Sequence, residues 1–316
     1  MPEKNSPNAN KLLVIAGPTA SGKSELAVKL AKKFGGEIIS ADSRQVYLGM
    51  DIGTGKVEGA WKKSRGRRVY VYKGIPHYCI DFRSPKKTFS AGLFQKSAGK
   101  AIADILSRGK LPIICGGTGH WIDAVVFAQE LPAVSPNPDL RRKLEAQTPA
   151  ELFAQLEKLD PSRAKGIDRF NKRRLVRALE IILATGRPVP QPKPQTAKYP
   201  VLWLGLKWPQ DKLYQRIDQR LKARLRQGMV QEVSRLHRRG LAWKKLDAFG
   251  LEYRFVSRYL RGQINPAEML VQLSYAIKHY SKRQMTWWKK NSQIRWLRTY
   301  PEAAKVVRNF LKNSGG

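Results

Sequence analysis

Acidic residues are scarce in this chain: 24 Asp and Glu stand against 60 Lys and Arg, a formal net charge of +36 over 316 residues. A small-molecule metabolite gives no use for such an excess, whereas a phosphate backbone as partner accounts for it. A generic solubility surface is the plainer alternative. Cysteine is nearly absent. Cys79 and Cys115 are the only two, far apart and in no metal-ligand spacing. This argues against a disulfide scaffold or a zinc module and fits a reducing, cytoplasmic compartment. No apolar run approaches the roughly 20 residues needed to span a bilayer. Met1 to Lys11 is polar, without the apolar core of a signal segment, and reads as a loose tail. The hydrophobic fraction of 42% still supports a folded chain of one or two domains.

What is present is organised around GPTASGKS, Gly17 to Ser24. A glycine, four residues and Gly22-Lys23-Ser24, after an apolar run at Leu12–Ala16 and before an amphipathic segment at Glu25–Phe34, form the phosphate-loop pattern. Consecutive N–H groups in such a turn point into one concavity, and the positive end of the following helix adds to the field. Lys23 would bring a mobile positive charge, and the Ser24 hydroxyl is placed to ligate Mg²⁺. A second apolar strand, Glu37–Ser40, leads to Asp42, read as a helix cap, a metal ligand or a general base. Strands alternating with helices imply an α/β parallel sheet with ligands beyond the strands' carboxyl ends. A third strand, Leu111–Cys115, opens into Gly116-Gly117-Thr118-Gly119. A Walker-B aspartate is missing there, which counts against a motor-type ATPase.

Residues 55–76 are glycine-rich and basic, with Arg65, Arg67, Arg68 and Lys73 among Tyr70 and Tyr72. They predict a loop or hairpin, solvated or in contact with RNA. Phe89–Ser107 predicts a helix. From about 131 the style changes to short helices opened by Asn137, by the capping box Thr148 to Glu151, by Asp160-Pro161 and by Asn171. A proline-rich loop over 187–200 and a strand at Val201–Leu206 return the chain to the sheet. The division expected is therefore a phosphate-loop core over 11–130, an inserted helical domain over 131–199, and core completion with C-terminal helices over 200–316. Asp211–Gly240, with a possible break at Gly228, and Ala267–Lys290 predict further helices. In the last, Tyr280, Trp287 and Trp288 suit either stacking on RNA or packing on the sheet.

With these residues in hand, the chain resembles the tRNA dimethylallyltransferases, the IPP transferase family. The stretches that carry the resemblance are GPTASGKSELA, SADSRQVYLGMDIGTGK, IPHYCIDFRSP, CGGTG, NKRRLVRALEI, GMVQEV and YSKRQMTWW, in order from Gly17 to Trp288. The resemblance implies transfer of a dimethylallyl group from dimethylallyl diphosphate to N6 of adenosine 37 beside a tRNA anticodon, with Mg²⁺ as cofactor. It implies that Gly17, Thr19, Ala20, Ser21, Gly22, Lys23 and Ser24 hold the diphosphate, with Ser24 on the metal and Lys278 assisting. Asp42 becomes the base and Thr118 a second catalytic hydroxyl. Asp42, Ser43, Arg44, Gln45 and Thr118 would meet the target base, and Arg141, Arg173, Arg174 and Arg177 the anticodon stem-loop. A monomer without membrane attachment is expected.

The chain departs from the family pattern at several places. His120 and Trp121 follow the glycine turn where an aliphatic and a tyrosine are usual, and Asp123 replaces a basic residue. Phe170-Asn171 stands for Asn-Asp, Ile277-Lys278 for Thr-Arg, and Tyr78 for the second histidine of a pair. Lysine at 278 keeps the charge but loses the planar fork. The rival readings are a small-molecule or nucleotide kinase, and an RNA-binding NTPase.

Overall fold

The computed structural model describes residues 10–64, 66–190 and 196–313. Chain contacts divide it into two units, one of Met1–Ala128 with Ala197–Gly316 and one of Gln129–Thr196; the sequence pattern alone puts the insertion at 131–199.

The first unit is built on an eight-stranded sheet: β1 (Leu12–Ala16), β2 (Gly36–Ala41), β3 (Ala60–Ser64), β4 (Arg67–Tyr72), β5 (Ile75–Tyr78), β6 (Leu111–Gly116), β7 (Val201–Leu206) and β8 (Arg295–Leu297). Their spatial order is β3-β4-β5-β2-β6-β1-β7-β8. The five strands around β1 and the edge strand β8 run parallel. Of these, β1, β6 and β7 are apolar throughout because both faces are covered. Leu12, Val14 and Ala16 enter one core, and Leu13 and Ile15 the other. The expectation of a parallel sheet needs one correction. β3, β4 and β5 pair antiparallel, since the short turns between them leave no room for the crossover that parallel strands require. This is the hairpin foreseen over 55–76; Arg65 lies outside the described residues.

Helix α1 (Lys23–Phe34) packs its Leu26, Ala27, Leu30 and Ala31 stripe on one face of the sheet. On the other lie α2 (Ala91–Ser107), capped by Ser90, and α3 (Gly119–Val126).

The second unit holds α4 (Pro138–Ala146), α5 (Pro149–Leu159), α6 (Pro161–Gly166) and α7 (Lys172–Thr185). Asn137, Thr148, Asp160 and Asn171 each accept an N–H at their helix starts, and Thr148 with Glu151 completes a capping box. Leu144, Leu152, Leu156, Leu175 and Leu179 form its core.

Back in the first unit, α8 (Gln210–Arg226) and α9 (Met229–Arg238) replace the single long helix. Gly228 sits between them at φ 100°, a left-handed conformation that ends α8. The chain then adds α10 (Trp243–Phe249), α11 (Leu251–Leu260), α12 (Pro266–Trp288) and α13 (Tyr300–Lys312). Trp288 is buried beside Trp203 of β7, whereas Trp287 and Tyr280 stay partly exposed. Among the described residues no helix is long and apolar enough to cross a membrane.

Candidate active site

The loop Gly17–Ser24 joins β1 to α1. Gly17 and Gly22 adopt φ of 139° and 94°, and Ala20 sits at 60°, conformations that turn successive amides the same way. The loop carbonyls are taken up elsewhere. Pro18 O accepts from Lys23 Nζ at 2.6 Å, Ala20 O from Arg216 Nε at 2.9 Å, and Ser21 O from Trp208 Nε1 at 2.9 Å. The first-turn amides of α1, Lys23 and Ser24 among them, have no partner within the helix. The outcome is a concavity of donors suited to an anion. Two loop residues behave individually. Thr19 N donates to Gln284 Oε1 at 2.8 Å, so its amide is spent on α12. The Ser21 hydroxyl is buried without a hydrogen-bond partner, a group that a phosphate oxygen would satisfy.

Asp42 and Thr118 end neighbouring strands, β2 and β6, with Ala41 opposite Gly116. A Cβ at Gly116 would collide with the Ala41 backbone, so glycine lets the strand ends close. Thr118 N donates to Ala41 O at 3.2 Å, and Ser43 N donates to Thr118 Oγ1 at 3.2 Å. With Oγ1 accepting there, the Thr118 hydroxyl proton is left to donate. Asp42 Oδ1 accepts from Arg44 N at 2.9 Å and Gln45 N at 3.4 Å. Its Oδ2 has no hydrogen bond among the described residues. The carboxylate is thus oriented by its own turn while one oxygen stays available.

Thr19, Lys23, Ser24, Asp42, Ser43, Arg44 and Gln45 line one cavity of about 230 Å³. Thr118 adjoins it through Ser43. The side chains missed from sequence are mainly those of α8, α11 and α12: Arg220, Arg224, Glu252 and Gln284 also line it, together with Tyr280, one of the rings expected to stack on RNA or pack on the sheet. A signal existed, since Arg216, Arg220 and Arg224 recur at four-residue steps and so share one face of α8. Arg224 is matched by Glu252 at 3.0 Å. Lys23 and Arg220 have no carboxylate partner among the described residues. Burial pulls Lys23 down to about 8 and, with repulsion from Arg224, Arg220 to about 10. Two under-compensated cations at a donor-rich loop make a site for a multiply charged anion.

Loop 51–56 is fastened from outside the cavity. Glu232 of α9, fully buried, accepts from Asp51 N, Ile52 N and Gly53 N at 2.8, 2.7 and 3.0 Å, and from Tyr253 Oη at 2.8 Å. Lys56 joins Asp51 and Asp81, each at 2.6 Å. Gln45 Nε2 in turn donates to Gly55 O at 3.3 Å. Gln284 Nε2 bonds Gly117 O at 3.0 Å while its Oε1 holds Thr19, so α12 clamps two ligand loops at once.

Three expected side chains are placed differently. Lys278 does not line the cavity; its ammonium is held by Asp218 at 2.7 Å, near the Tyr214 ring. In the helical unit, Arg141 and Arg177 bind the buried Glu180 at 2.7 and 2.6 Å. Their guanidiniums are engaged within that unit, because a buried carboxylate must be paired. Arg173 and Arg174 remain exposed. Trp121 stacks on Phe94 in the core.

The IPP transferase family model matches residues 45–291, and a tRNA dimethylallyltransferase of Geotalea uraniireducens is 41% identical over 95% of this chain and 97% of its own. The chain belongs to the IPP transferase family. A second relative, the tRNA dimethylallyltransferase of Roseiflexus, is 39% identical over 95% of this chain and 98% of its own. Among solved structures, the tRNA isopentenylpyrophosphate transferase of Bacillus halodurans superimposes with a TM-score of 0.70 at 33% identity, covering 96% of this chain and 97% of that one. A eukaryotic dimethylallyltransferase acting on tRNA gives 0.79 at 26% identity, over 97% and 81%. These matches run along nearly the whole chain.

Proposed function

We propose that this protein moves a dimethylallyl group from dimethylallyl diphosphate to N6 of adenosine 37 in tRNA. The observation that carries the reading is the convergence of Asp42, Lys23 and Arg220 on one cavity, with Thr118 adjoining. The diphosphate lies in the donor concavity of Gly17–Ser24, against Lys23 and Arg220. Asp42 Oδ2 takes a proton from the adenine amine as the N6–C1 bond forms and the C1–O bond breaks; the bonding pair leaves with diphosphate. The Thr118 hydroxyl donates to the bridging oxygen, offsetting the charge that develops there. Ser43, Arg44 and Gln45 hold the base flipped from the anticodon loop. Closure around it keeps water from the activated prenyl group. Arg173 and Arg174 supply phosphate contacts on the stem-loop.

Mg²⁺ fits this site in kind. Ser24 and Asp42 offer hard oxygen donors, while no cluster of three or more His, Cys, Asp or Glu ligands exists among the described residues. Ser24 would hold the ion together with diphosphate oxygens, as magnesium usually prefers few protein ligands. It would supply neutralisation of leaving-group charge. Kinase chemistry would draw on the same loop but gives the basic charge no partner.

The test incubates the protein with Mg²⁺, dimethylallyl diphosphate and unmodified tRNA carrying A36-A37, then digests the tRNA and seeks N6-prenyladenosine. ATP turnover without that product would refute the reading. Asp42→Asn should lower kcat by roughly 10²–10⁴ with tRNA affinity nearly intact; an equally large loss of affinity would remove the base role.

A further inference from the structure

The β3–β4 hairpin takes no part in the mechanism above, yet its composition is extreme. Residues 60–73 contain six Lys and Arg and no Asp or Glu. The strand register sets Lys63 directly opposite Arg68, and like charges so placed destabilise a sheet. Neither makes an ion pair among the described residues. Trp61 and Tyr70, two positions along from this pair on the same face, meet edge to face at 5.7 Å, and the Arg68 guanidinium stands 5.5 Å from the Trp61 ring centre.

This face floors a second cavity of about 300 Å³, closed on its far side by α2 with Lys100. The nearby carboxylates are already engaged: Asp81 by Lys56 and the Trp61 indole, Asp104 by Arg108. His77 and Ile80 line this cavity and the catalytic one alike, so the two stand back to back across β5. Lysine on an edge strand is also a common guard against strand addition. That accounts for Lys63 on β3 but not for Arg68 on the inner strand β4, set against it over an aromatic pocket. A repelling pair beside the half-buried Trp61 ring, at the mouth of a cavity, is what a polyanion carrying unpaired bases would relieve.

We propose that the β3–β4 hairpin is a second tRNA contact, Lys63 and Arg68 holding backbone phosphates and the cavity beside Trp61 taking an adjacent base. It rests on the reading that tRNA is the substrate. The contact adds affinity to a reaction carried out elsewhere on the chain.

The experiment uses the full chain and an unmodified tRNA transcript, with dissociation constants measured over a salt series. For Lys63→Gln with Arg68→Gln, two lost phosphate contacts predict tRNA binding weaker by roughly tenfold to thirtyfold at about 0.15 M salt, and a log K against log salt slope shallower by about two. The loss should appear in KM for tRNA and not in KM for dimethylallyl diphosphate. Melting temperature should stay level or rise, because the substitution removes the repulsion; misfolding would move it the other way. Trp61→Leu should weaken binding by roughly tenfold with the slope unchanged.

Affinity and slope equal to the parent's would overturn the proposal. So would a concentration-dependent dimer that the double variant dissolves while tRNA binding is unaffected. A parent chain that forms no prenyladenosine would instead count against the reaction itself, a separable result.

Discussion

Two buried glutamates, one in each unit of this protein, show two ways of satisfying a carboxylate away from water. Glu232 in the α/β unit is satisfied mainly by backbone, three consecutive amides of loop 51–53 and one tyrosine hydroxyl. Glu180 in the helical unit is satisfied mainly by side chains, Arg141 and Arg177, with the Asn137 amide. Backbone acceptors specify the path of the chain, so Glu232 shapes a loop that lines the cavity. Side-chain partners can re-form with other residues, so Glu180 secures packing in a unit with a single small core. The difference is one of sites and not of whole units: Glu37 in the α/β unit is held by Arg108, Lys110 and Tyr78, and Asp160 in the helical unit by the Arg163 and Val189 amides.

Substitutions should separate these roles. Glu232→Gln presents an NH₂ where one amide donor needs an acceptor, and should cost about 3 kcal/mol. Amide exchange should speed up at 51–55 and kcat should fall with it; unaltered exchange there would remove the contrast. Glu180→Gln should cost less, about 2 kcal/mol, since both arginines are partly exposed and regain water. Its destabilisation should be confined to 129–196 by hydrogen exchange. Glu180 also gives the helical unit an acid limit. Burial alone would raise its pKa, but the two arginines outweigh this and hold it at about 2. A carboxylate depressed on folding stabilises above its ordinary value of about 4.5, and that contribution fades as pH falls toward 2.

The third test concerns the cavity alone. Lys23 binds diphosphate best when protonated, and its pKa in the free protein is about 8. The kcat/KM for dimethylallyl diphosphate should therefore decline above about pH 8, by roughly tenfold at pH 9. A flat profile through pH 9 would separate Lys23 from diphosphate binding. The smallest effect belongs to the caps. Thr148→Ala should cost about 1 kcal/mol, read as a lower melting point for the helical unit with kcat/KM for dimethylallyl diphosphate unchanged.

Local rules made much of this molecule legible. The apolar pentapeptide Leu12–Ala16, the glycine at the end of α1, and the caps at Asn137, Thr148, Asp160 and Asn171 are signals written within a few residues, and each sits where its element begins or ends. Asp42 and Thr118 stood out at the ends of their strands, and the family resemblance then narrowed Asp42 to a base and gave Thr118 a catalytic hydroxyl. Less legible were α10, α11, α13 and β8, whose short or mixed patterns become ordered by packing on the rest. Lys278 shows the limit of position within a motif. Its neighbours Ile277 and Tyr280 line the cavity, but the helix turns Lys278 about one residue's rotation away, toward Asp218.

The sequence by itself determined the phosphate loop, the charge that calls for a polyanion, and the order of strands and capped helices, because spacing and composition are properties of the linear chain. Only the tertiary structure decided which cations face the cavity and which are bound elsewhere. Arg220, Glu232 and Gln284 lie 165 to 265 residues from the loops they serve, and no local pattern encodes a contact that exists only once the sheet has closed and α8, α9 and α12 have packed against it.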